Sequence, residues 1–260
     1  MPRGNFTRYA IMLAMSEAII LEGAMSVRAA LAGNMRPLRE VHIDRTRNDY
    51  ETQQLARLAR ERGAKVKFVE REAIDALAQG STHGGVMALA DERKYQSLEA
   101  LLPGEDAPFI VMLDGVEDPF NFGQAVRAMY AAGAHGLVLR ARNWTSAAGV
   151  VARSSAGASE LIPIAVVNEV EEAVAFYKSR GLRIAVTAKA RDAVSIYRAD
   201  LAAPMFLLIG GEKRGIQKAV MDAADLRLEI PYGRKFNASL GTAMAASVIA
   251  FEMMRQRQGH

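Results

Sequence analysis

From Pro108 onward the chain alternates short, almost wholly apolar runs with helical stretches, and this alternation restricts the fold more than any other feature. The runs are 109–114 (FIVMLD), 136–140 (GLVLR), 161–167 (LIPIAVV), 183–188 (RIAVTA), 205–210 (MFLLIG) and 226–230 (LRLEI). Most lack the polar residue at every second position that marks a strand with one wet face, so they fit strands buried on both faces. Helical spacing occupies 121–133, 147–155, 169–180, 215–223 and 238–256. Buried strands joined by helices predict an α/β fold with a mostly parallel sheet covered on both sides.

The first hundred residues form a smaller α/β unit. Residues 11–31 suggest two short helices, or a strand then a helix, punctuated by Gly23 and Gly33. Strands are expected at 41–44, 65–69 and 84–90, with helices at 52–61 and 72–78, the first ending at Gly63. Arg36, Arg39, Arg45, Arg47, Arg57, Arg60, Arg62, Lys65 and Lys67 crowd this half. With acidic residues interleaved they suit either a solvated mixed-charge surface or phosphate contacts, for which arginine supplies a bidentate fork. The stretch from Lys94 to Asp106, polar at first and then broken by Pro103 and Gly104, reads as a linker and divides the chain into 1–104 and 105–260.

Composition narrows the function classes. Among 260 residues there is no cysteine, which excludes disulfides and disfavours structural zinc. His42, His83, His135 and His260 have no ligand spacing, so no metal is expected. The longest apolar run, 9–21, is broken by Ser16-Glu17 and is too short to span a bilayer, and no clean signal cleavage site follows the basic start. A cytoplasmic location is expected. The net charge of +4 is compatible with nucleic acid without arguing for it.

Three strand–loop–helix stretches carry the chemistry: 114–127, 207–215 and 228–252. Small-residue loops after parallel strands are where such folds bind ligands. Gly210-Gly211-Glu212-Lys213-Arg214-Gly215 lacks the Lys-Ser/Thr pair of a P-loop and is not G-x-G-x-x-G. It is either a tight turn or a place where bare backbone meets a ligand. In 114–127 Asn121 suits a helix N-cap. Arg127, on an otherwise nearly apolar helix, is expected on a largely buried surface with an anionic or carbonyl partner, Glu212 and an RNA phosphate being candidates. No serine sits in a nucleophile elbow.

Together these stretches resemble the SpoU/TrmH-type RNA ribose 2′-O-methyltransferases of the knotted methyltransferase superfamily. The first motif is DGVEDPFNFGQAVRAMYAAGAHGLVL, with Asp118-Pro119, Asn121, Gly123 and Arg127. The second is LLIGGEKRGI, with Gly210, Glu212 and Gly215; the third is IPYGRKFNASLGTAMAASVIAFE, with Ile230-Pro231 and Ser239-Leu240. RSSAGASELIPI at 153–164 also matches. ILEGAMSVRAAL and STHGGVMALA look like the opening and the closing strand of the family's accessory RNA-binding domain.

The resemblance implies an RNA substrate-binding domain at 1–104 and an S-adenosylmethionine-dependent domain with a deep trefoil knot at 105–260. It implies a homodimer and ribosomal RNA as substrate, 23S above all, with transfer RNA as the alternative. Thr187, Gly210, Gly211, Ile230 and Leu240 would hold the methyl donor; Asn121, Arg127, Glu212 and Ser239 would be catalytic. The family usually has Asn after Ser-Leu, where this chain has Gly241-Thr242. That difference keeps a non-catalytic RNA-binding relative open, with Asn237 as a substitute for the missing side chain. A dinucleotide-dependent oxidoreductase lacks its fingerprint here.

Overall fold

The computed structural model describes residues 18–80, 82–104, 107–141, 147–211 and 215–258. In chain order the elements begin β1 (Ile19–Glu22), α1 (Ala24–Gly33), β2 (Leu38–Asp44), α2 (Tyr50–Glu61), β3 (Lys65–Val69), α3 (Arg71–Asp75) and β4 (Val86–Ala90). There follow β5 (Phe109–Asp114), α4 (Pro119–Ala131), β6 (Gly136–Arg140), α5 (Ala148–Ser154), α6 (Ala158–Leu161), β7 (Ile164–Val167) and α7 (Val170–Ser179). Last come β8 (Arg183–Thr187), β9 (Val194–Ser195), β10 (Met205–Gly210), α8 (Lys218–Ala223), β11 (Leu226–Glu229) and α9 (Thr242–Gln258).

These elements make two units. The first contains the described residues up to Lys94 together with 147–161; the second contains the rest. The chain therefore divides at Lys94 rather than near residue 105, and a segment from the middle of the sequence belongs to the first unit. Close packing explains the second point. A Cβ on Gly33 would lie 2.0 Å from the Glu160 carbonyl oxygen, and one on Gly149 would lie 2.5 Å from that of Ile20. Only glycine allows backbones that near. Arg36 then closes a buried fork on Glu160, Nε to Oε2 at 2.7 Å and Nη2 to Oε1 at 3.1 Å. Arg153 pairs with the buried Glu22, whose carboxylate also accepts the Gly80 amide.

The first unit is a four-stranded sheet in the order β1-β4-β2-β3, antiparallel except for β2–β3. Leu21, Val27, Val41, Ile43, Leu55 and Ala152 share its core. Helix α2 begins at Tyr50 because Asp49 caps it, accepting the Thr52 amide at 2.9 Å and hydroxyl at 2.8 Å.

The second unit is a seven-stranded sheet in the order β7-β6-β5-β10-β8-β11-β9, parallel at every pairing. Alternate residues of β5 serve opposite faces. Ile110 and Met112 pack with Val170, Val174 and Tyr177 of α7. Phe109, Val111 and Leu113 are buried on the other side, where the Arg257 guanidinium of α9 lies 5.2 Å from the Phe109 ring centroid.

Several boundaries differ from expectation, and three of them have clear local reasons. Helix α4 starts at Pro119, capped by Asp118 rather than by Asn121: the Asp118 carboxylate accepts the Asn121 amide at 3.0 Å. Proline at the first helical position needs no partner for a missing N–H. Helix α9 starts at Thr242, four residues late, with the Gly241 carbonyl accepting the Ala245 amide at 3.0 Å. The run 161–167 is strand only from Ile164, since Leu161 ends α6.

Candidate functional site

A cavity of about 970 Å³ opens at the C-terminal ends of β8, β10 and β11. In a parallel sheet all carbonyl ends point one way, so the loops that follow neighbouring strands meet at one edge. Thr187 ends β8, Gly210 ends β10, and Ile230 follows β11. All three line the cavity, as do Gly211, Ser239 and Leu240, while Ala245 and Ile249 of α9 close it. The structure thus brings together six of the residues expected from the sequence: Thr187, Gly210, Gly211, Ile230, Ser239 and Leu240.

Close backbone approach holds the walls. The Thr187 hydroxyl oxygen accepts the Gly210 amide at 3.4 Å. A Cβ on Gly211 would sit 2.0 Å from the Gly115 carbonyl oxygen, and one on Gly210 would sit 2.9 Å from Gly215. These glycines are required by the passage of one loop against another.

The third loop is ordered by a side chain that the sequence does not single out. The Tyr232 phenol oxygen accepts the Leu240 amide at 3.0 Å. Its ring lies 5.3 Å from the Lys189 ammonium, which also donates to the Ala238 carbonyl at 3.3 Å. Asn237, the expected substitute for the missing asparagine, is exposed. Gly241 itself is the N-cap of α9, a role glycine fills with a loss of only a few tenths of a kcal/mol. The loop therefore has a defined conformation without asparagine at 241. Nothing in the local pattern marks Tyr232; Lys189 is signalled only by following a parallel strand.

Asn121 and Arg127 do not line the cavity of their own chain. Arg127 is exposed, contrary to the expectation of burial. The apolar neighbours Ala125, Val126, Ala128 and Met129 occupy the buried face of α4, and Arg127 falls opposite them with Phe120, Gln124 and Tyr130. It has no hydrogen bond or ion pair among the described residues. Glu212, its expected partner, lies outside the described residues. Among those described, no group of three metal-ligating side chains occurs.

Comparison with known proteins adds to this geometry. The SpoU rRNA Methylase family model matches residues 108–251, more than half of the chain. The chain belongs to the SpoU rRNA methylase family. A second model, RNA 2′-O ribose methyltransferase substrate binding, matches residues 20–96. A SpoU relative from Ralstonia nicotianae, 23S rRNA (guanosine-2′-O-)-methyltransferase RlmB, is 30% identical over 94% of this chain and 98% of its own. The protein of that name from Shewanella oneidensis is 29% identical over 94% of this chain and all of its own. The crystal structure of an AdoMet-bound rRNA methyltransferase from Sinorhizobium meliloti superposes with a TM-score of 0.76 at 25% identity, covering 92% of this chain and 88% of that one. The two matches fall on the two sheets, 108–251 on the seven-stranded parallel one and 20–96 on the four-stranded one.

Proposed function

We propose that this protein is an S-adenosylmethionine-dependent RNA ribose 2′-O-methyltransferase acting on 23S ribosomal RNA. The observation that carries the reading is the convergence of three loops on one cavity at the carbonyl edge of the parallel sheet. The cavity suits the methyl donor: Ile209, Leu228, Ile230 and Leu240 offer apolar walls, and glycine loops bring bare backbone to it. Thr187, Gly210, Gly211, Ile230 and Leu240 would hold the donor. Bound S-adenosylmethionine supplies a methyl group on a sulfonium, activated toward an oxygen nucleophile.

The chain's own contribution is alignment, worth on the order of 7–11 kcal/mol when two reactants are held for reaction. Ser239, at the cavity wall, orients the 2′-hydroxyl. Arg127 holds an RNA phosphate, and its guanidinium offsets the negative charge that builds on the 2′-oxygen as the hydroxyl proton passes to water. Asn121 positions the same ribose, and Glu212 holds the second loop.

The active species in this reading is a homodimer. On α9, beside α4, Met244 and Phe251 are 62% and 45% exposed, with the half-buried Val248 between them. On α4, Phe120 and Tyr130 are exposed on the Arg127 face. Pairing of two copies through these helices covers these side chains and places Arg127 at the interface. A trefoil knot within the second unit belongs to the same reading, supported by the tight passage of Gly211 against Gly115. The first unit is the RNA substrate-binding part. Among the described residues no helix is long and apolar enough to cross a membrane, and the reading places the enzyme in the cytoplasm with its ribosomal RNA.

The test is methyl transfer to a 23S rRNA transcript. Arg127→Ala lowers the rate by roughly 10²-fold or more, as removal of one oxyanion-stabilising donor does. S-adenosylmethionine affinity stays near that of the parent, because Arg127 is outside the cavity. Near-parental methylation by the variant, or no donor binding by the parent in calorimetry, defeats the reading.

A further inference from the structure

We infer that the mouth of the cavity is a binding site for RNA backbone phosphates, built by Arg191, Arg234 and Lys235. This rests on the methyltransferase reading and assigns the surface that receives the substrate strand at the reacting ribose.

Two loops bring the charges together. Lys189 and Arg191 follow β8, while Arg234 and Lys235 follow β11, and all four line the one cavity. Among the described residues that line it the only carboxylate is Glu229, so the wall carries a clear surplus of positive charge. The nearby Asp192 is already engaged by Arg227. Lys189 is committed to the Tyr232 ring and the Ala238 carbonyl. Arg191, Arg234 and Lys235 are exposed and make no hydrogen bond or ion pair among the described residues.

The chemistry of the substrate explains such a mouth. A 2′-hydroxyl sits on the carbon next to the one bearing the 3′-phosphodiester. Bringing that hydroxyl to a donor in the cavity brings a phosphate to the rim, with the 5′-phosphate on the other side of the sugar. A rim of carboxylates would repel both; a rim of unpaired guanidinium and ammonium groups attracts them and releases counterions. A cavity of about 970 Å³ also stands at the upper end of the range for a single small ligand, leaving room for the ribose and its flanks. Elsewhere among the described residues most arginines already hold a carboxylate or a carbonyl, which makes the empty forks at this rim a distinct feature.

The experiment is the salt dependence of binding a short oligouridylate by the full-length protein, compared with the variant R191Q/R234Q/K235Q. Phosphate binding is independent of base sequence, so this probe reads it alone. Each phosphate neutralised contributes about 0.7 to the slope of log affinity against log salt for single-stranded RNA. Removing three cations therefore changes the slope by about 2, with affinity at low salt falling by more than tenfold. Arg→Lys replacements at 191 and 234 restore most of the slope, since charge rather than shape supplies it. Melting temperature and S-adenosylhomocysteine affinity are measured on the same samples. An unchanged slope in a folded variant overturns the inference. So does a loss of S-adenosylhomocysteine affinity with the slope retained, which would assign the cations to the carboxylate of the donor. A parent that binds neither S-adenosylhomocysteine nor RNA would instead remove the enzyme reading beneath it.

Discussion

The basic cluster of the first unit and the cavity mouth of the second use the same cations in opposite ways. In the first unit Arg36, Arg45, Arg47, Arg57, Arg71 and Arg153 pair with Glu160, Glu70, Asp49, Glu61, Asp44 and Glu22, and Lys67 pairs with Glu40. Arg60, Arg62 and Lys65 stand outside these pairs. At the cavity mouth of the second unit, Arg191, Arg234 and Lys235 have no such partner among the described residues. The denser cluster in the sequence is thus largely neutralised by its own chain, and the sparser one is free to meet an outside anion. The lesson is that charge density along a chain says little about binding until the acids opposite each cation are known. Most pairs in the first unit are exposed and weak. In one pair both partners are buried: the Arg36 and Glu160 side chains are 5% and 2% exposed.

That pair gives the sharpest test of the contrast. Arg36→Ala leaves the Glu160 carboxylate buried without its partner, which costs about 3–5 kcal/mol. The urea midpoint of the full chain should fall accordingly, and the double change Arg36→Met with Glu160→Leu should recover most of it. A small loss in Arg36→Ala would place the pair with the weak surface ones.

At the mouth itself, a smaller effect is expected from Tyr232→Phe. The ring stays against Lys189 while the Leu240 amide loses its acceptor. One such hydrogen bond contributes about 1 kcal/mol, so S-adenosylhomocysteine should bind roughly fivefold more weakly in calorimetry. Equal affinity would mean that the phenol does not order the third loop.

The smallest effect returns to the first unit. The Thr52 amide, and then its hydroxyl, hold the Asp49 carboxyl down to about 2. A depressed value means that the cap stabilises fully above the ordinary carboxyl value of about 3.9 and weakens as pH falls toward about 2. Asp49→Asn keeps an acceptor for Thr52 but cannot titrate. Its melting temperature should therefore drop less steeply than the parent's across that window; parallel curves would assign acid sensitivity to other groups.

Much of the site is readable in the sequence because it is assembled from local patterns. Apolar runs at 109–114 and 205–210 form β5 and β10 with the expected ends; β10 closes on Gly210, and Gly211 follows it. Arg127 misleads because a helix rich in alanine looks buried all round, although its period turns that residue outward. Two-residue β9 carries too little pattern to be found. Tyr232 escapes because its role depends on an amide eight residues away across a turn.

By itself the sequence determined the elements, the parallel sheet and the small-residue loops at its carbonyl edge. These depend on side-chain period and on backbone freedom, both of which act within a few residues. Only the tertiary structure decided that 147–161 joins the first unit, and which cations have partners. Those outcomes depend on pairings such as Arg36 with Glu160, which are 124 residues apart and leave no periodic trace along the chain.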